Sequence, residues 1–485
     1  MLIRRAQLEG GAIADVRIER GLVAAIGQLA ARPAEPVLDA GGGLLLPGLH
    51  DHHIHVAALA ASLSSIHCGP PDVLDGGTFA ARLRVPGRGW LRATGYHESV
   101  AGMLDAATLD RIVPDRPVRV QHRSGRMWFL NSAALDTLLF NNAPPEGLER
   151  DGNCYTGRLF DADEWLQRSL GSDPPSFTQV GAMLSRWGVT GLSDMSPRNG
   201  PTIARHFIQE TASNSLPQRV LLAGSLDLTT DDTSERVSLG PAKLHLHEAA
   251  LPSLAEAVAF IRRAHERFRN VAIHCASEIE LIFALTACKD AGSVAGDRIE
   301  HAAIAADSAV AEIARAGLAV VSQPHFISER GDRYLVDVDA SSRQFLYRLR
   351  AFRDANIPLA AGSDAPFGGF NPWISMAAAV SRLTRSGASI GEPEALSPEQ
   401  ALDLYLSEPR ALNRRRRVSV GAPADLCLLD RSWAAARNAL SSVRVRATFI
   451  DGQTHYHTVP RSGPDPIFAL GDELGRLAPS RSWRR

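Results

Sequence analysis

The chain has 485 residues, with 52 basic and 53 acidic side chains and a formal net charge of −1; this balance leaves no global field to draw in nucleic acid or an anionic membrane. Its composition, 45% hydrophobic and 22% charged, is that of an ordinary soluble globular protein. At about 150 residues per domain the length calls for two to four units, a large barrel counting as one.

Five cysteines, Cys68, Cys154, Cys275, Cys288 and Cys427, are odd in number, scattered and free of any Cys-x-x-Cys pair. They read as reduced thiols in a cytoplasmic protein, not as a disulfide framework. The first residues, MLIRRAQLEGG, have no apolar stretch behind their arginines. No apolar run approaches the roughly 18 residues that a membrane span needs, so a cytoplasmic location is expected.

In chain order, Asp15–Glu19 and Leu22–Ile26 alternate apolar and polar residues between Gly21 and Gly27, the pattern of a small antiparallel sheet. The same texture returns at Val418–Leu429 and Val443–Tyr456, where Asp451-Gly452 suits a hairpin turn. Both chain ends, 1–46 and 418–458, are therefore expected to form one small β-sandwich domain.

Beyond about residue 185, apolar β-rich runs alternate with helical stretches, as in parallel strands joined by crossover helices. The runs are Gly191–Asp194, Arg219–Ala223, Lys243–His247, Val271–His274, Arg298–His301, Leu318–Ser322 and Ile357–Ala361. With a strand at 44–55 they make the eight of a closed α/β barrel, whose active site sits at the carboxyl ends of its strands. The expected class is α/β, a (β/α)8 TIM-like barrel built from 47–61 and 181–417. Residues 62–180 break the rhythm, with a strand at Val118–Gln121 and a helix at Ser132–Leu139. They read as an α/β insertion after the first barrel strand, forming a subdomain over the barrel mouth; 459–485 read as a tail.

The chemistry centres on Gly48–His55 (GLHDHHIH). In a strand His53 and His55 point the same way, with Asp51 in register below them, so the two imidazoles can hold one metal ion. His274, His301 and Asp364 lie at later strand ends, and Lys243 opens the run Lys-Leu-His-Leu-His. In a barrel these ends converge on one cavity. Several N and O donors with an open position suit catalytic zinc better than calcium or magnesium. A bound divalent ion brings the pKa of its water toward about 7 and polarises a carbonyl. Asp364 is the natural group to carry the proton from that water to a leaving nitrogen, which makes it both ligand and catalytic residue.

The sequence resembles the amidohydrolase superfamily, whose first strand carries PGL-x-D-x-H-x-H and whose later His, His and Asp come from strands five, six and eight. It is similar to the branch of N-substituted formamide deformylases and related amidases, through Gly95–Ser99, Trp128–Leu135, Arg298–Ala302, Ser322–Pro324, Gly362–Pro366 and Gly421–Leu426. The resemblance runs from about residue 12 to 455. It implies that Lys243 is carbamylated and bridges two metals, with His53 and His55 on one ion and His274 and His301 on the other. Where the branch has Asp-Gly this chain has His247-Glu248, which leaves one ion or two open and puts His247 beside the substrate. His97 and Arg126 match substrate-contacting positions, and Arg126, standing where the branch has histidine, suits a substrate carboxylate or carbonyl.

His325, after Gln323-Pro324, also lies at a strand end and is read as a substrate contact or a packing residue. His50, His52, His206 and His265 read as structural, solvated or capping, Cys275 as a packing residue turned to the helix layer, and Arg414–Arg417 as a solvated face or interdomain ion-pair set. The expected protein is a metal-dependent hydrolase of a C–N bond in an amide or cyclic amide-like small molecule, without nucleic-acid or membrane partners. A deaminase or a carbamate- or urea-type hydrolase is the alternative; a catalytically silent relative would have lost ligands, and none is missing. Substrate identity and homo-oligomer formation are left open.

Overall fold

The computed structural model describes residues 1–458 apart from 71, 172 and 173; the expected tail at 459–485 lies outside the described residues. Two compact units are present among the described residues, Met1–Val56 with 176–458, and Ala57–Pro175.

In the first unit an eight-stranded parallel sheet follows sequence order: β1 (Leu49–Ile54), β2 (Val189–Asp194), β3 (Arg219–Gly224), β4 (Val237–His245), β5 (Val271–Cys275), β6 (Arg298–His301), β7 (Ala319–Ser322) and β8 (Leu359–Ala361). All eight expected strands are there. Helices such as Leu254–Glu266 and Glu278–Ala291 connect them, each opened by a capping box, Ser253 with Glu256 and Ser277 with Glu280. The fourth strand starts at Val237, not Lys243. Gly240 and Pro241 disguise its first half, and Gly240 is required there because a Cβ would lie 2.9 Å from the Ala223 amide nitrogen.

The barrel closes beyond the end of β8. Asp364 N–H donates to His53 O (2.7 Å), His55 N–H to Ala365 O (2.9 Å), and Ser363 N–H to Asp51 Oδ1 (2.9 Å). Gly362 makes this approach possible, since a Cβ would fall 2.3 Å from the His53 nitrogen.

The expected strand at 44–55 is two strands. Leu45–Pro47 pairs antiparallel with Leu426–Leu429, and after Gly48 the chain enters the barrel. A side chain at Gly48 would collide with Thr190, 2.1 Å away, so the crossing from one sheet to the other needs glycine. Around this point lie two four-stranded sheets, one from residues 2–39, the other from Leu45–Pro47 and the strands between Leu426 and His457. Their facing sides share a core of Ile3, Val16, Leu45, Leu426 and Phe449. Asp451 and Gly452 have φ of 51° and 72°, as a type I′ hairpin turn demands.

In the second unit a six-stranded sheet carries two apolar clusters, one around Phe79, Tyr96 and Phe129, the other around Trp128, Leu135 and Leu159. The helix Ser132–Leu139 forms where the sequence predicts it because Asn131 caps it. This buried side chain accepts from Ala134 and Val118 N–H and donates to the Val113 and Arg116 carbonyls.

Arg219, at the start of β3, holds the Leu426–His457 sheet to the barrel. Its guanidinium donates to Asp425 (2.6 Å) and to Asp451, which also accepts from Arg236 (3.2 Å). Arg219→Ala strands Asp425, leaves Asp451 with Arg236 alone, and is expected to cost about 1–3 kcal/mol. Denaturant unfolding measures the loss; an unchanged midpoint would show that the cluster does not join the two parts.

Candidate metal centre

β1, β5, β6 and the segment after β8 bring together the side chains singled out from sequence. Donor atoms of His53, His301 and Asp364 lie within 4.8 Å of one another, all three residues buried. His55 Nε2 stands 3.1 Å, and His53 Nε2 3.4 Å, from Asp364 Oδ1. The imidazoles form an arc: centroid distances run 5.2 Å from His55 to His53, 4.8 Å to His301, 4.5 Å to His274 and 4.5 Å to His245. Lys243 is 4% exposed, and the charges of Glu300 and Asp364 act on its ammonium against burial.

Two residues not singled out as functional orient the ring nitrogens. His53 Nδ1 meets the Glu300 carboxylate at 2.5 Å, and His301 Nδ1 meets Gln323 Oε1 at 2.7 Å. Both partners accept, so each Nδ1 carries the proton and each Nε2 keeps its lone pair, the tautomer a metal ligand needs. His301 Nε2 and Lys243 Nζ are buried without a partner among the described residues. A buried donor or acceptor left bare costs about 1–3 kcal/mol, and a cation on the His301 Nε2 lone pair removes that cost there. The donor set thus fits a divalent metal ion.

Strand alternation would put Glu300 and His301 on opposite faces. His301 and Ala302, however, have φ of 71° and 45°; the strand turns out of extended geometry at its last residue, and both side chains reach the centre. The signal for Glu300 was a charged pair inside a buried run: Arg298 Nε donates to Glu300 at 2.5 Å, and its Nη2 to His52 O at 3.1 Å.

Electrostatics follow from burial and neighbours. Burial pushes His53 down to about 4 and His301 to about 3, so both are neutral at pH 7. For Glu300 burial acts upward, but Arg298, Lys243 and His53 outweigh it and hold the carboxyl well below its usual range. Asp364 is likewise held low, against burial, by its hydrogen bond to His55 and by the His301 and His53 rings. Burial brings Lys243 down to about 8 despite Glu300.

Asp51 does not join the donor set. Its Oδ1 accepts from His53 N–H (3.1 Å) and Ser363 N–H, and burial raises it to about 6. His325 is buried with both ring nitrogens taken, Nδ1 by Ser375 Oγ (3.2 Å) and Nε2 by Ser363 O (3.0 Å). It supports the Asp364 segment and keeps neither nitrogen for a substrate. His247 lies exposed beyond the end of β4, opening the short turn Glu248–Ala250. In the second unit Arg126 is clamped by Asp161 through two hydrogen bonds of 2.8 and 2.6 Å. His97 Nδ1 accepts from Ser99 N–H, which leaves the proton on Nε2.

His50 bonds Ser193 Oγ at 2.9 Å, and His265, instead of being solvated, pairs with buried Asp297 at 3.0 Å. Cys275 is buried, and its Sγ donates to Glu280 O on the following helix. Arg415 pairs with Glu9 and Asp403.

Glu300→Gln keeps the shape and removes the charge. Cation affinity is expected to fall about 10- to 100-fold, read by competition with a chromophoric chelator. Unchanged affinity would remove Glu300 from the support of His53.

Residues 36–456 match the model of the amidohydrolase family. The chain is 26% identical to the N-substituted formamide deformylase of Arthrobacter pascens, over 93% of this chain and 94% of that one. Among solved structures it is similar to a metal-dependent hydrolase of Pyrococcus horikoshii OT3, with TM-score 0.72 and 20% identity over 89% and 96% of the two chains. It also resembles the N-isopropylammelide isopropylaminohydrolase of Burkholderia multivorans ATCC 17616, with TM-score 0.53 and 14% identity over 93% and 97%.

Proposed function

Since the chain belongs to the amidohydrolase family and is a metal-dependent hydrolase acting on carbon–nitrogen bonds, we propose that it cleaves an amide or cyclic amide-like small molecule. A water oxygen attacks the carbonyl carbon, and Asp364 carries the proton to the leaving nitrogen. The observation that supports this most is the convergence of His53, His301 and Asp364 donors within 4.8 Å around otherwise bare buried atoms.

The residues that would hold the metal are His53, His55, His274, His301 and Asp364, with Lys243 between them; imidazole with carboxylate favours zinc, as one ion or two. When bound, such a cation is a Lewis acid that polarises a carbonyl and makes water a nucleophile near neutral pH. The protein's own part is positional and protic. Asp364 is ionised at working pH and can accept a proton at Oδ1. The His55 ring that fixes this oxygen is itself held at Nδ1 by Ser196 Oγ, 3.0 Å away, so the carboxylate is aimed before substrate arrives.

Lys243 fits a carbamate bridge. An amine must be neutral to add to CO2, and burial brings this one down to about 8. The neutral fraction, and with it carbamate formation at fixed CO2, should therefore rise between pH 7 and 9. Carbon-13 NMR in labelled bicarbonate reads the carbamate carbon; a spectrum without it, or one unaltered in Lys243→Ala, would eliminate the bridge. All five cysteines are free, which fits the cytoplasm, and no helix among the described residues is long and apolar enough to cross a membrane.

The function is tested by screening N-acyl amines, N-acyl amino acids and cyclic ureides with zinc-loaded protein. One class should turn over, and Asp364→Asn should lower kcat about 100- to 10,000-fold while the fold persists. Turnover by deamination alone, or no turnover of any class by fully loaded protein, would overturn the reading.

A further inference from the structure

The barrel has a second opening at its other end. Val237, Asn270, Ala319 and Pro358, at or next to the first residues of β4, β5, β7 and β8, line a cavity of about 1160 Å³. This is the amino-terminal face, opposite the strand ends that carry the histidines. Four arginines line it, Arg267, Arg269, Arg298 and Arg410, against a single carboxylate, Asp227.

Arg298 is neutralised by Glu300. The other three have no ion-pair partner among the described residues; their hydrogen bonds go to backbone carbonyls, which orient a guanidinium without cancelling its charge. These carbonyls place the three side by side. Arg267 donates to Leu226 O, and Arg269 Nη1 to the adjacent Ser225 O at 2.6 Å. On its other side Arg269 donates to Gly240 O (3.2 Å) and Pro241 O (3.0 Å), while Arg410 Nη2 donates to the preceding Leu239 O at 3.2 Å. Arg269 is buried, 5% exposed, and Arg267 and Arg410 stand exposed on its two sides. Burial and the charge of Arg267 push the Arg269 guanidinium down to about 10, with no acid acting against them. Keeping three cations together in a half-enclosed space is unfavourable unless an anion joins them. Phe268, between two of the arginines in sequence, lies on the cavity lining with its side chain wholly exposed.

We propose that this cavity is a binding site for a small organic polyanion, a phosphate monoester or a polycarboxylate, held by the exposed guanidinium groups of Arg267 and Arg410 with its carbon body against Phe268; Arg269, whose bond to Leu228 O (3.3 Å) leaves it one N–H, adds its charge between them. The planar guanidinium fork matches both oxyanions, and the volume is ample for a metabolite-sized molecule. The site is separate from the metal centre and does not depend on the proposed reaction.

Isothermal titration of the full-length, metal-loaded protein with phenyl phosphate and with benzene-1,3,5-tricarboxylate tests it, phenol being the neutral control. One equivalent of at least one anion should bind, and phenol should not. Arg267→Ala and Arg410→Ala remove exposed side chains outside the catalytic centre, and each should weaken binding about tenfold. The stronger probe tells a phosphate from a carboxylate ligand. Lack of binding by both anions up to about 10 mM, or binding unaltered in the double variant, as expected for anions held at the metal centre, would overturn the proposal.

Discussion

The centre exists because the barrel is closed by a loop and not by a ninth ladder. Between the end of β8 and β1 the backbone of residues 363–365 bonds to His53, His55 and Asp51. The same few hydrogen bonds therefore complete the sheet and set Asp364 beside the two leading imidazoles. The left-handed φ of 53° at Asp364 shows what this costs: backbone in that region is unfavourable for a residue with a side chain and persists where surroundings over-determine it. Here they do so through Asp51, through His325 on the Ser363 carbonyl, and through the bare Cα of Gly362.

A second layer turns geometry into chemistry. Glu300 and Gln323 hold protons on the outer nitrogens of His53 and His301, and Arg298 holds Glu300, so a line of fixed charges crosses the barrel beneath the metal donors. Burial keeps the His53, His274 and His301 imidazoles neutral while Glu300 and Asp364 stay ionised, because each of the two carboxylates has cationic or N–H neighbours. The result is a preorganised, buried cluster of lone pairs, the condition under which electrostatic stabilisation is largest.

Much of this was readable in the sequence, for definite reasons. Barrel strands announce themselves as short apolar runs, and the ligands as histidine or aspartate at their ends; His274 and His301 needed nothing more. The Ser132–Leu139 helix was legible because its cap is local. What escaped depends on backbone angle or on partners remote in sequence. Glu300 was hidden by assuming regular alternation up to His301, the start of β4 by Gly240 and Pro241, and the supporting part played by His325 by its dependence on Ser363 and Ser375. Arg126 drew attention as a charged residue at a motif position, yet sequence could not show Asp161 claiming it.

The strand that carries the first imidazoles is joined, through Gly48 alone, to Leu45–Pro47, which is an edge strand of its four-stranded sheet and takes its ladder hydrogen bonds from Leu426–Leu429. During synthesis on a ribosome that partner emerges only after every donor of the centre has been made. β1 itself can pair with β2 and with residues 363–365 earlier, but the segment that leads into it lacks its partner until almost the whole described chain is available. Docking of that segment is thereby tied to synthesis of the chain beyond residue 426, and a nascent chain stalled before it would hold all the metal-binding side chains with Leu45–Pro47 still unpaired.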